Sequence, residues 1–216
     1  IAIENLRPSW FVFSAGFQKK EVLLLAKRAF DVFASVVGLL IGFPIMLVVY
    51  VAVRMTSKGP AFYHQTRVGQ HGKHFVVHKF RSMRVDAEAG TGAVWATQTD
   101  TRVTPIGRFL RRTRLDETPQ LWNVLVGEMS LVGPRPERPE FVESLTREIP
   151  FYGERHVVKP GVTGWAQVRY TYGASVEDAL EKLQYDLFYA KNFTLTLDLL
   201  IVFNTVKTVL LRRGAA

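Results

Sequence analysis

The segment VFASVVGLLIGFPIMLVVYVAV, residues 32–53, contains no charged side chain. Its length of about 22 residues exceeds the roughly 18 predominantly apolar residues that indicate a membrane helix. A buried helix of a soluble core rarely stays apolar on every side over that length. Pro44 lies near its middle, and proline both lacks a backbone donor and clashes with the carbonyl four residues earlier. The segment therefore predicts a membrane helix that is kinked at Pro44.

Basic residues flank this segment on both sides. They are Lys19, Lys20, Lys27 and Arg28 before it, and Arg54 and Lys58 after it. Lys/Arg-rich flanks favour the cytoplasmic side of a membrane, so residues 20–58 fit a re-entrant hairpin, although a simple crossing stays equally open. Asp31 borders the apolar run and needs a partner there. Arg28, three residues earlier on the same helical face, predicts a structural ion pair with Asp31.

The composition indicates an anionic partner. The 216 residues carry 28 Lys+Arg against 19 Asp+Glu, a formal charge of +9. Nucleic acid, acidic lipid and phosphorylated small molecules all fit such an excess. The absence of cysteine excludes disulfides and thiolate metal sites. The sequence contains neither a glycine-rich phosphate loop nor a Gly-x-Ser-x-Gly elbow, and no nucleic-acid-binding motif.

The remaining chain predicts one α/β domain over residues 59–216. Short strands are expected at 60–64 and 75–80, a loop at 87–100, and helices at 106–114, 118–126, 137–148 and 175–191. The apolar segment 195–211 fits either a core helix or, slightly better, a helix in the membrane interface. The expected fold is therefore a small sheet with short and amphipathic helices, joined to the kinked, re-entrant membrane helix. Residues 1–19 are expected to be the end of a preceding region.

The Asp116-Glu117 pair is the first candidate for chemistry. It follows a cluster of arginines and precedes Pro119, which suits the first turn of a helix. An acid at this position is commonly a helix cap. Two carboxylates among arginines could also hold a divalent cation or attack an electrophilic phosphorus.

Rigid turns and strand ends supply the candidate cations. Prolines on both sides of Arg135, in the run Gly133-Pro134-Arg135-Pro136, orient a guanidinium for bidentate phosphate binding. Lys79 and Arg81 end a predicted strand. The glycine-containing turn at 159–165 is predicted to be a hairpin.

Taken together, these residues resemble the bacterial sugar transferases known as monotopic phosphoglycosyl transferases. The resemblance runs from about residue 27 to the end. Its motifs are Lys27-Arg28-x-x-Asp31, the proline-broken helix, Gln65-x-Arg67-x-Gly69-x-x-Gly72, Lys79-Phe80-Arg81-Ser82-Met83, Leu115-Asp116-Glu117-x-Pro119-Gln120-Leu121-x-Asn123-Val124, Met129-Ser130-x-Val132-Gly133-Pro134-Arg135-Pro136 and Pro160-Gly161-x-Thr163-Gly164-Trp165-Ala166-Gln167.

The resemblance implies a reaction. A sugar-1-phosphate would pass from a UDP-sugar to undecaprenyl phosphate, initiating exopolysaccharide or a related glycan. Asp116 would form a covalent phosphosugar and lie near a bound Mg²⁺, and Glu117 would assist in positioning or proton handling. The phosphate-binding cations would be Lys79, Arg81, Arg111 and Arg135, with Arg169 as a weaker candidate.

The resemblance also implies a location and partners. The helix would be re-entrant, breaking at Pro44, in the bacterial inner membrane with the catalytic domain on the cytoplasmic face. UDP-sugar, undecaprenyl phosphate and membrane lipid would be the partners, and nucleic acid would not. Two positions depart from some members of the family: Phe43 replaces a serine before the proline, and Arg169-Tyr170 replaces Asn-Gly. The alternative function is a membrane-tethered basic module that binds acidic lipid or nucleic acid without catalysis.

Overall fold

A computed structural model describes residues 19–90, 92, 100–170 and 175–210. The helices are α1 (Glu21–Thr56), α2 (Pro105–Thr113), α3 (Gln120–Val126), α4 (Pro139–Glu148), α5 (Trp165–Arg169), α6 (Val176–Asn192) and α7 (Leu195–Leu210). The strands are β1 (Phe62–Val68), β2 (His74–Phe80), β3 (Ser130–Val132) and β4 (Gly161–Thr163), with 3₁₀ turns at Gln70–Gly72, Leu115–Glu117 and Tyr152–Val157. The expected N-terminal extension, except residue 19, and most of the expected loop at 87–100 lie outside the described residues.

The first helix, α1, is 36 residues long and contains Pro44 within its continuous span. By length and composition it could cross a membrane. Only Asp31, Ser35, Val49 and Val53 along it are buried, so most of its apolar side chains face away from the protein. The expected long apolar helix is confirmed, while its kink and re-entrant path stay predictions.

Two small sheets complete the α/β fold. β1 and β2 form an antiparallel hairpin in which Tyr63 pairs with Lys79. β3 and β4 pair in parallel, with Ser130 opposite Gly161 and Val132 opposite Thr163. The predicted hairpin at 159–165 is therefore wrong: parallel strands need a long crossover, which here contains α4.

Glycines allow the β3 and β4 ends to touch backbone to backbone. A Cβ placed on Gly161 would lie 2.1 Å from the nitrogen of Gly133 and 2.4 Å from the carbonyl oxygen of Thr163. No side chain fits such an approach. The Gly-Pro-Arg-Pro motif and the Pro-Gly-x-Thr-Gly motif, far apart in sequence, are thus one packed unit that fixes the backbone around Arg135.

The expected ion pair between Arg28 and Asp31 is wrong, because each side chain binds the backbone of the domain that follows. Arg28 donates to the carbonyl oxygens of Val124 (2.6 Å) and Leu125 (2.7 Å), at the C-terminal end of α3. A cation at this end satisfies carbonyls that have no intrahelical partner. Asp31 Oδ1 accepts the backbone N–H of Leu131 at 3.0 Å.

A third residue of the same motif connects α1 to the last helix. Lys27 Nζ lies 2.6 Å from Asp198 Oδ2 and 3.1 Å from the hydroxyl oxygen of Tyr189, both of which are buried. The hydroxyl oxygen of Tyr189 lies 2.7 Å from Asp198 Oδ1. This network joins α1, α6 and α7, so α1 packs as part of the domain.

Helix α7 has one buried face and one exposed face. Asp198 and Ile201 are buried against α1 and α6, whereas Leu199, Phe203 and Val206 are exposed. Large apolar side chains on the outward face suit a helix lying in the membrane interface. The expectation of a helix at 195–211 is confirmed over Leu195–Leu210.

Candidate active site

The two neighbouring carboxylates lie in a 3₁₀ turn directly after α2. Arg114 adopts the left-handed conformation (φ 58°) and ends α2, and the turn Leu115–Glu117 follows. Both Asp116 and Glu117 are buried, each with about 7% exposure. Helix α3 begins after Pro119 without a side-chain cap, so neither carboxylate is serving as its cap.

Glu117 is surrounded by cations. Its Oε1 accepts from Arg135 Nη2 at 2.5 Å and from Lys79 Nζ at 2.9 Å, and its Oε2 accepts from Arg135 Nη1 at 3.3 Å. Burial alone would raise the pKa of Glu117, but the charges of Arg135 and Lys79 hold it well below its usual range. The same carboxylate raises the pKa of Arg135, since its charge stabilises the guanidinium. Glu117 is thus a fixed anion that orients two cations.

Asp116 has the opposite environment. Its Oδ1 is buried without a hydrogen-bond partner among the described residues. Burial raises its pKa, the negative charge of Glu117 adds to that rise, and Lys79 and Arg114 oppose it. A buried polar atom without a partner is costly and calls for an explanation, and a functional role is one such explanation. The two adjacent acids are therefore electrostatically distinct: one is neutralised by cations, and the other is left available.

Arg135 is positioned by Arg155, a buried arginine that the sequence reasoning missed. Arg155 Nη2 donates to the carbonyl oxygen of Arg135 at 2.9 Å and lies 2.7 Å from Asp186 Oδ2. Arg155 and Asp186 are 5% and 3% exposed. Asp186 falls between Leu183 and Leu187 on the buried face of α6. An acid on an otherwise apolar helix face is the sequence signal that could have revealed this pair.

The other predicted phosphate-binding residues have different surroundings. Arg81 donates to the carbonyl oxygens of Ser57 and Lys58, both at 2.9 Å, so it closes the C-terminal end of α1. This geometry gives Arg81 a structural role. Arg111 donates only its Nε, to Ser82 Oγ at 2.9 Å, among the described residues, which leaves its terminal nitrogens for a ligand. Arg169 stacks over Trp165, its Cζ 4.5 Å from the ring centroid.

The seven predicted site residues all line one cavity with a volume of about 1090 Å³. Its charged end contains Asp116, Glu117, Lys79, Arg111 and Arg135, and its wall also includes Arg81 and Arg169. The volume slightly exceeds the usual range of about 300–1,000 Å³ for small-molecule sites. The structure thus gathers residues that are spread over 91 positions of sequence, from Lys79 to Arg169, around one space.

One of the two carboxylates at this end, that of Asp116, can contribute to a magnesium site. Among the described residues there is no group of three or more His, Cys, Asp or Glu side chains that could hold a metal ion by themselves. Mg²⁺ usually binds through one or two carboxylates together with substrate phosphates. The unpartnered Oδ1 of Asp116 fits that mode, whereas the oxygens of Glu117 are already bound by Lys79 and Arg135.

Comparisons with known proteins agree with the motifs. A family model described as bacterial sugar transferase matches residues 22–212. The chain is 47% identical over 189 residues to the UDP-N-acetylgalactosamine-undecaprenyl-phosphate N-acetylgalactosaminephosphotransferase of Aeromonas hydrophila, covering 88% of this chain and 44% of that protein. It is 43% identical over 217 residues to the UDP-glucose:undecaprenyl-phosphate glucose-1-phosphate transferase of Xanthomonas campestris pv. campestris, covering 100% of this chain and 44% of that protein.

A shorter relative matches over nearly its whole length. The exopolysaccharide production protein PSS of Rhizobium leguminosarum bv. phaseoli is 41% identical over 197 residues, covering 88% of this chain and 97% of that protein. By contrast, the chain spans less than half the length of the Aeromonas and Xanthomonas proteins.

Proposed function

The chain belongs to the bacterial sugar transferase family, and from this we propose that it transfers a sugar-1-phosphate from a UDP-sugar to undecaprenyl phosphate, initiating exopolysaccharide or a related glycan. The Aeromonas and Xanthomonas relatives are named for this type of transfer, with N-acetylgalactosamine and glucose as their sugars. Both substrates carry phosphate, which suits the cationic end of the cavity. Since the relatives use different sugars, the sugar is left open.

The buried Asp116 carboxylate, without a partner at Oδ1, carries this proposal. A carboxylate whose two oxygens are both bound by cations, as those of Glu117 are, would be a weak nucleophile, because its charge is stabilised before the reaction. Asp116 lacks such bonds at Oδ1, and the nearby cations are held by Glu117 instead. This arrangement suits nucleophilic attack on a phosphorus whose oxygens are neutralised by arginine and lysine.

In the first step, a carboxylate oxygen of Asp116 attacks the β-phosphorus of the UDP-sugar. A bond forms between that oxygen and the β-phosphorus, and the bond from the β-phosphorus to the bridging oxygen breaks. The electron pair leaves with UMP. The product on the protein is an aspartyl phosphosugar, a mixed anhydride that is itself activated for transfer.

In the second step, a phosphate oxygen of undecaprenyl phosphate attacks the same phosphorus. The bond to Asp116 breaks, the carboxylate is regenerated, and undecaprenyl diphosphate sugar is released. One aspartate therefore serves both substrates in turn, which explains how one cavity suffices and predicts ping-pong kinetics.

The surrounding side chains have separate roles in neutralising the phosphates and orienting the cations. Arg111 and Arg135 neutralise the phosphate oxygens as the attacking anion approaches. Because Glu117 is held ionised by its cations, its role is to orient Lys79 and Arg135 rather than to transfer protons. Asp116 would help to hold magnesium through one carboxylate oxygen and keep the other for the attack, and the ion would supply Lewis-acid stabilisation of the phosphate charge.

We place the reaction at the cytoplasmic face of the bacterial inner membrane, with α1 re-entrant and kinked at Pro44. The exposed apolar side chains along α1 and the basic residues at both of its ends support this placement. The outward face of α7 supports an interfacial position for that helix.

The test is UMP release by the protein in lipid nanodiscs with Mg²⁺, undecaprenyl phosphate and a panel of UDP-sugars. We expect lipid-dependent turnover with one sugar, and its loss in Asp116→Asn but not in Asp86→Asn, an exposed aspartate outside the cavity wall. Intact-mass detection of a phosphosugar adduct, absent in Asp116→Asn, would support the covalent step.

Two outcomes would count against the proposal. Turnover retained in Asp116→Asn would reject this nucleophile. Wild-type protein that releases no UMP with any sugar, yet binds acidic lipid or nucleic acid, would favour the non-catalytic basic module.

A further inference from the structure

The side chain of Asn123, on α3, bonds to the backbone of the strand that carries Lys79. Asn123 is fully buried, with 0% exposure. Its Nδ2 donates to the carbonyl oxygen of Val76 at 2.7 Å, and its Oδ1 accepts the backbone N–H of His78 at 3.2 Å. A neighbouring strand would offer the same donor and acceptor to an open strand edge. Since β2 pairs with β1 in a two-stranded sheet, the amide takes the place of a third strand.

Glu128 fixes the orientation of this amide. Its Oε2 accepts from Asn123 Nδ2 at 2.7 Å. An asparagine amide has two N–H donors and one carbonyl oxygen, so both of its ends are bonded here. Turning the amide over would bring its oxygen against the carbonyl of Val76 and its NH₂ group against the N–H of His78. These contacts therefore select one orientation.

The strand edge bonded by Asn123 leads directly to Lys79. His78 donates to Asn123, and the next residue, Lys79, has its Nζ 2.9 Å from Glu117 Oε1. Glu117 lies just before α3, and Asn123 lies within it. The strand is thus attached to this helix region twice, by backbone and by side chain. A lysine has a flexible four-carbon stem, so the backbone attachment limits where its ammonium group can lie.

The backbone of Asn123 bonds to the segment that leads to Arg135. Its carbonyl oxygen accepts three N–H groups of the turn after α3 at 3.0–3.1 Å, those of Gly127, Glu128 and Met129. Strand β3 begins directly after this turn, and the Gly-Pro-Arg-Pro motif follows β3. Arg135 in that motif donates to Glu117. Both cations that bind Glu117 are therefore connected to Asn123, one through its side chain and one through its backbone.

We propose that Asn123 is a positioning residue for the transfer, which holds Lys79 and Arg135 against Glu117 and so sets the positive charge beside Asp116. This inference rests on the proposed function and adds a residue that is not in the wall of the cavity. Asn123 therefore acts only through the groups to which it bonds.

Asn123→Leu tests this role, because leucine has a similar size but no amide. The charge of Lys79 lowers the pKa of Asp116, so a displaced lysine should let that pKa rise. The acid limb of single-turnover UMP release should then move to higher pH. The kcat should fall by up to about a hundredfold, the cost that a displacement of about 1 Å can have. The matched control is Asn192→Leu, an exposed asparagine that bonds within its own helix and should leave both values unchanged.

The Lys79→Met background separates positioning from a general loss of stability. Lys79→Met should itself move the acid limb to higher pH, and adding Asn123→Leu should move it little further. A purely structural role would lower the unfolding temperature without moving the acid limb in either background.

Glu128→Ala is a second variant, at an exposed position, in case Asn123→Leu does not fold. It removes the acceptor that orients the amide, so the acid limb should again move to higher pH, by a smaller amount. Loss of the negative charge of Glu128 alone would move the limb to lower pH. A shift to lower pH, or none, would therefore contradict the role of this contact.

The titration of the Asp116 carboxyl gives a readout that needs no turnover. It can be followed by ¹³C NMR of protein labelled at aspartate, with the resonance assigned by its loss in Asp116→Asn. We expect a higher pKa in Asn123→Leu than in wild type, and the wild-type value in Asn192→Leu. An unchanged pKa in folded Asn123→Leu would overturn the proposal. If wild-type protein shows no turnover with any sugar, the proposed function fails, and this titration alone then decides whether Asn123 positions the cations.

Discussion

Arg135 donates from both terminal nitrogens to the carboxylate of Glu117, at 2.5 and 3.3 Å. This bidentate pair lies next to Asp116, whose Oδ1 has no partner among the described residues. Arg135 therefore directs its terminal nitrogens to Glu117, and Oδ1 of Asp116, the proposed nucleophile, receives no bond from it. If Arg135 bound Asp116 instead, the attacking oxygen would be stabilised and less reactive.

The pH dependence of the first step should reveal the influence of Glu117 on Asp116. Burial and the charge of Glu117 raise the pKa of Asp116, so its carboxyl should become protonated, and lose nucleophilicity, at a pH above the ordinary aspartate value of about 3.9. Glu117→Gln removes one of these causes. The acid limb of single-turnover UMP release should therefore move to lower pH in Glu117→Gln. A limb that stays in place or moves to higher pH would contradict this electrostatic assignment.

Arg111 and Arg81 should respond differently to removal of charge. Arg111→Gln should raise the KM for the UDP-sugar by about tenfold to a hundredfold, since a charged hydrogen bond to phosphate contributes about 1.5–3 kcal/mol. Arg81→Gln should instead lower the unfolding temperature, because two carbonyls at the end of α1 lose their donors. Steady-state kinetics and thermal unfolding of both variants check this. A raised KM in folded Arg81→Gln would restore its predicted phosphate-binding role.

Substitutions of the buried pair Arg155 and Asp186 should distinguish an effect on protein stability from an effect on the position of Arg135. Arg155→Met alone should destabilise the protein by about 3–5 kcal/mol, because it leaves Asp186 buried without its partner. Arg155→Met combined with Asp186→Leu should recover most of that stability. Turnover should nevertheless stay low in the double variant, since the carbonyl of Arg135 still lacks its donor.

The control for this pair is Arg147→Met, which breaks the exposed pair with Glu143 and should change stability by less than about 1 kcal/mol. Denaturant unfolding and kcat are the two measurements. Full activity in the double variant would show that Arg155 does not position Arg135.

The backbone contact between Gly133 and Gly161 should not tolerate a side chain. Gly161→Ala would place a Cβ 2.1 Å from a backbone nitrogen, so we expect a large fall in unfolding temperature and in turnover. Gly153→Ala is the matched control, because a Cβ there meets nothing within 4 Å. Equal behaviour of the two variants in thermal unfolding would contradict the packing described for β3 and β4.

Substitutions of Asp31 should distinguish a hydrogen-bond acceptor from an ion-pair partner. Asp31→Asn keeps an oxygen that can accept the backbone N–H of Leu131, so it should cost less than about 1 kcal/mol. Asp31→Leu leaves that donor unpaired and should cost about 1–3 kcal/mol. The measurement is the unfolding temperature of each variant in nanodiscs, relative to wild type. Comparable losses in both variants would indicate that the negative charge matters, as an ion pair would require.

Local signals in the sequence predicted most of the elements. The helices at α2, α3, α4, α6 and α7 were expected within a few residues of their observed bounds, because amphipathic spacing, Pro105 at the start of α2 and the Ser175 cap of α6 are local features. The α/β class and the long apolar helix α1 follow from the same kind of signal. Pairing between distant strands has no local signal, which is why the parallel β3–β4 contact was missed.

The absence of a local signal for contacts between distant residues also explains which predictions at the candidate site were right and which were wrong. The resemblance to the sugar transferases implied that Asp116, Glu117, Lys79, Arg111 and Arg135 belong together, and the structure places all five around one cavity. Sequence spacing could not show which cation binds which acceptor, since backbone carbonyls compete equally with carboxylates. Arg28 and Arg81 illustrate this: each was expected to bind an anion, and each binds carbonyl oxygens instead.

The contacts of α1 also impose an order on biosynthesis. Lys27, Arg28 and Asp31 reach the ribosome exit before any of their partners, which follow roughly 100 to 170 residues later in the chain. At a translation rate of about 5–20 residues per second, these side chains are synthesised several seconds or more before Val124, Leu131 and finally Asp198. Membrane insertion of α1 would therefore precede the closure of the domain onto it, and shortening the chain before Asp198 should leave Lys27 without its anion and the nascent protein open to proteases.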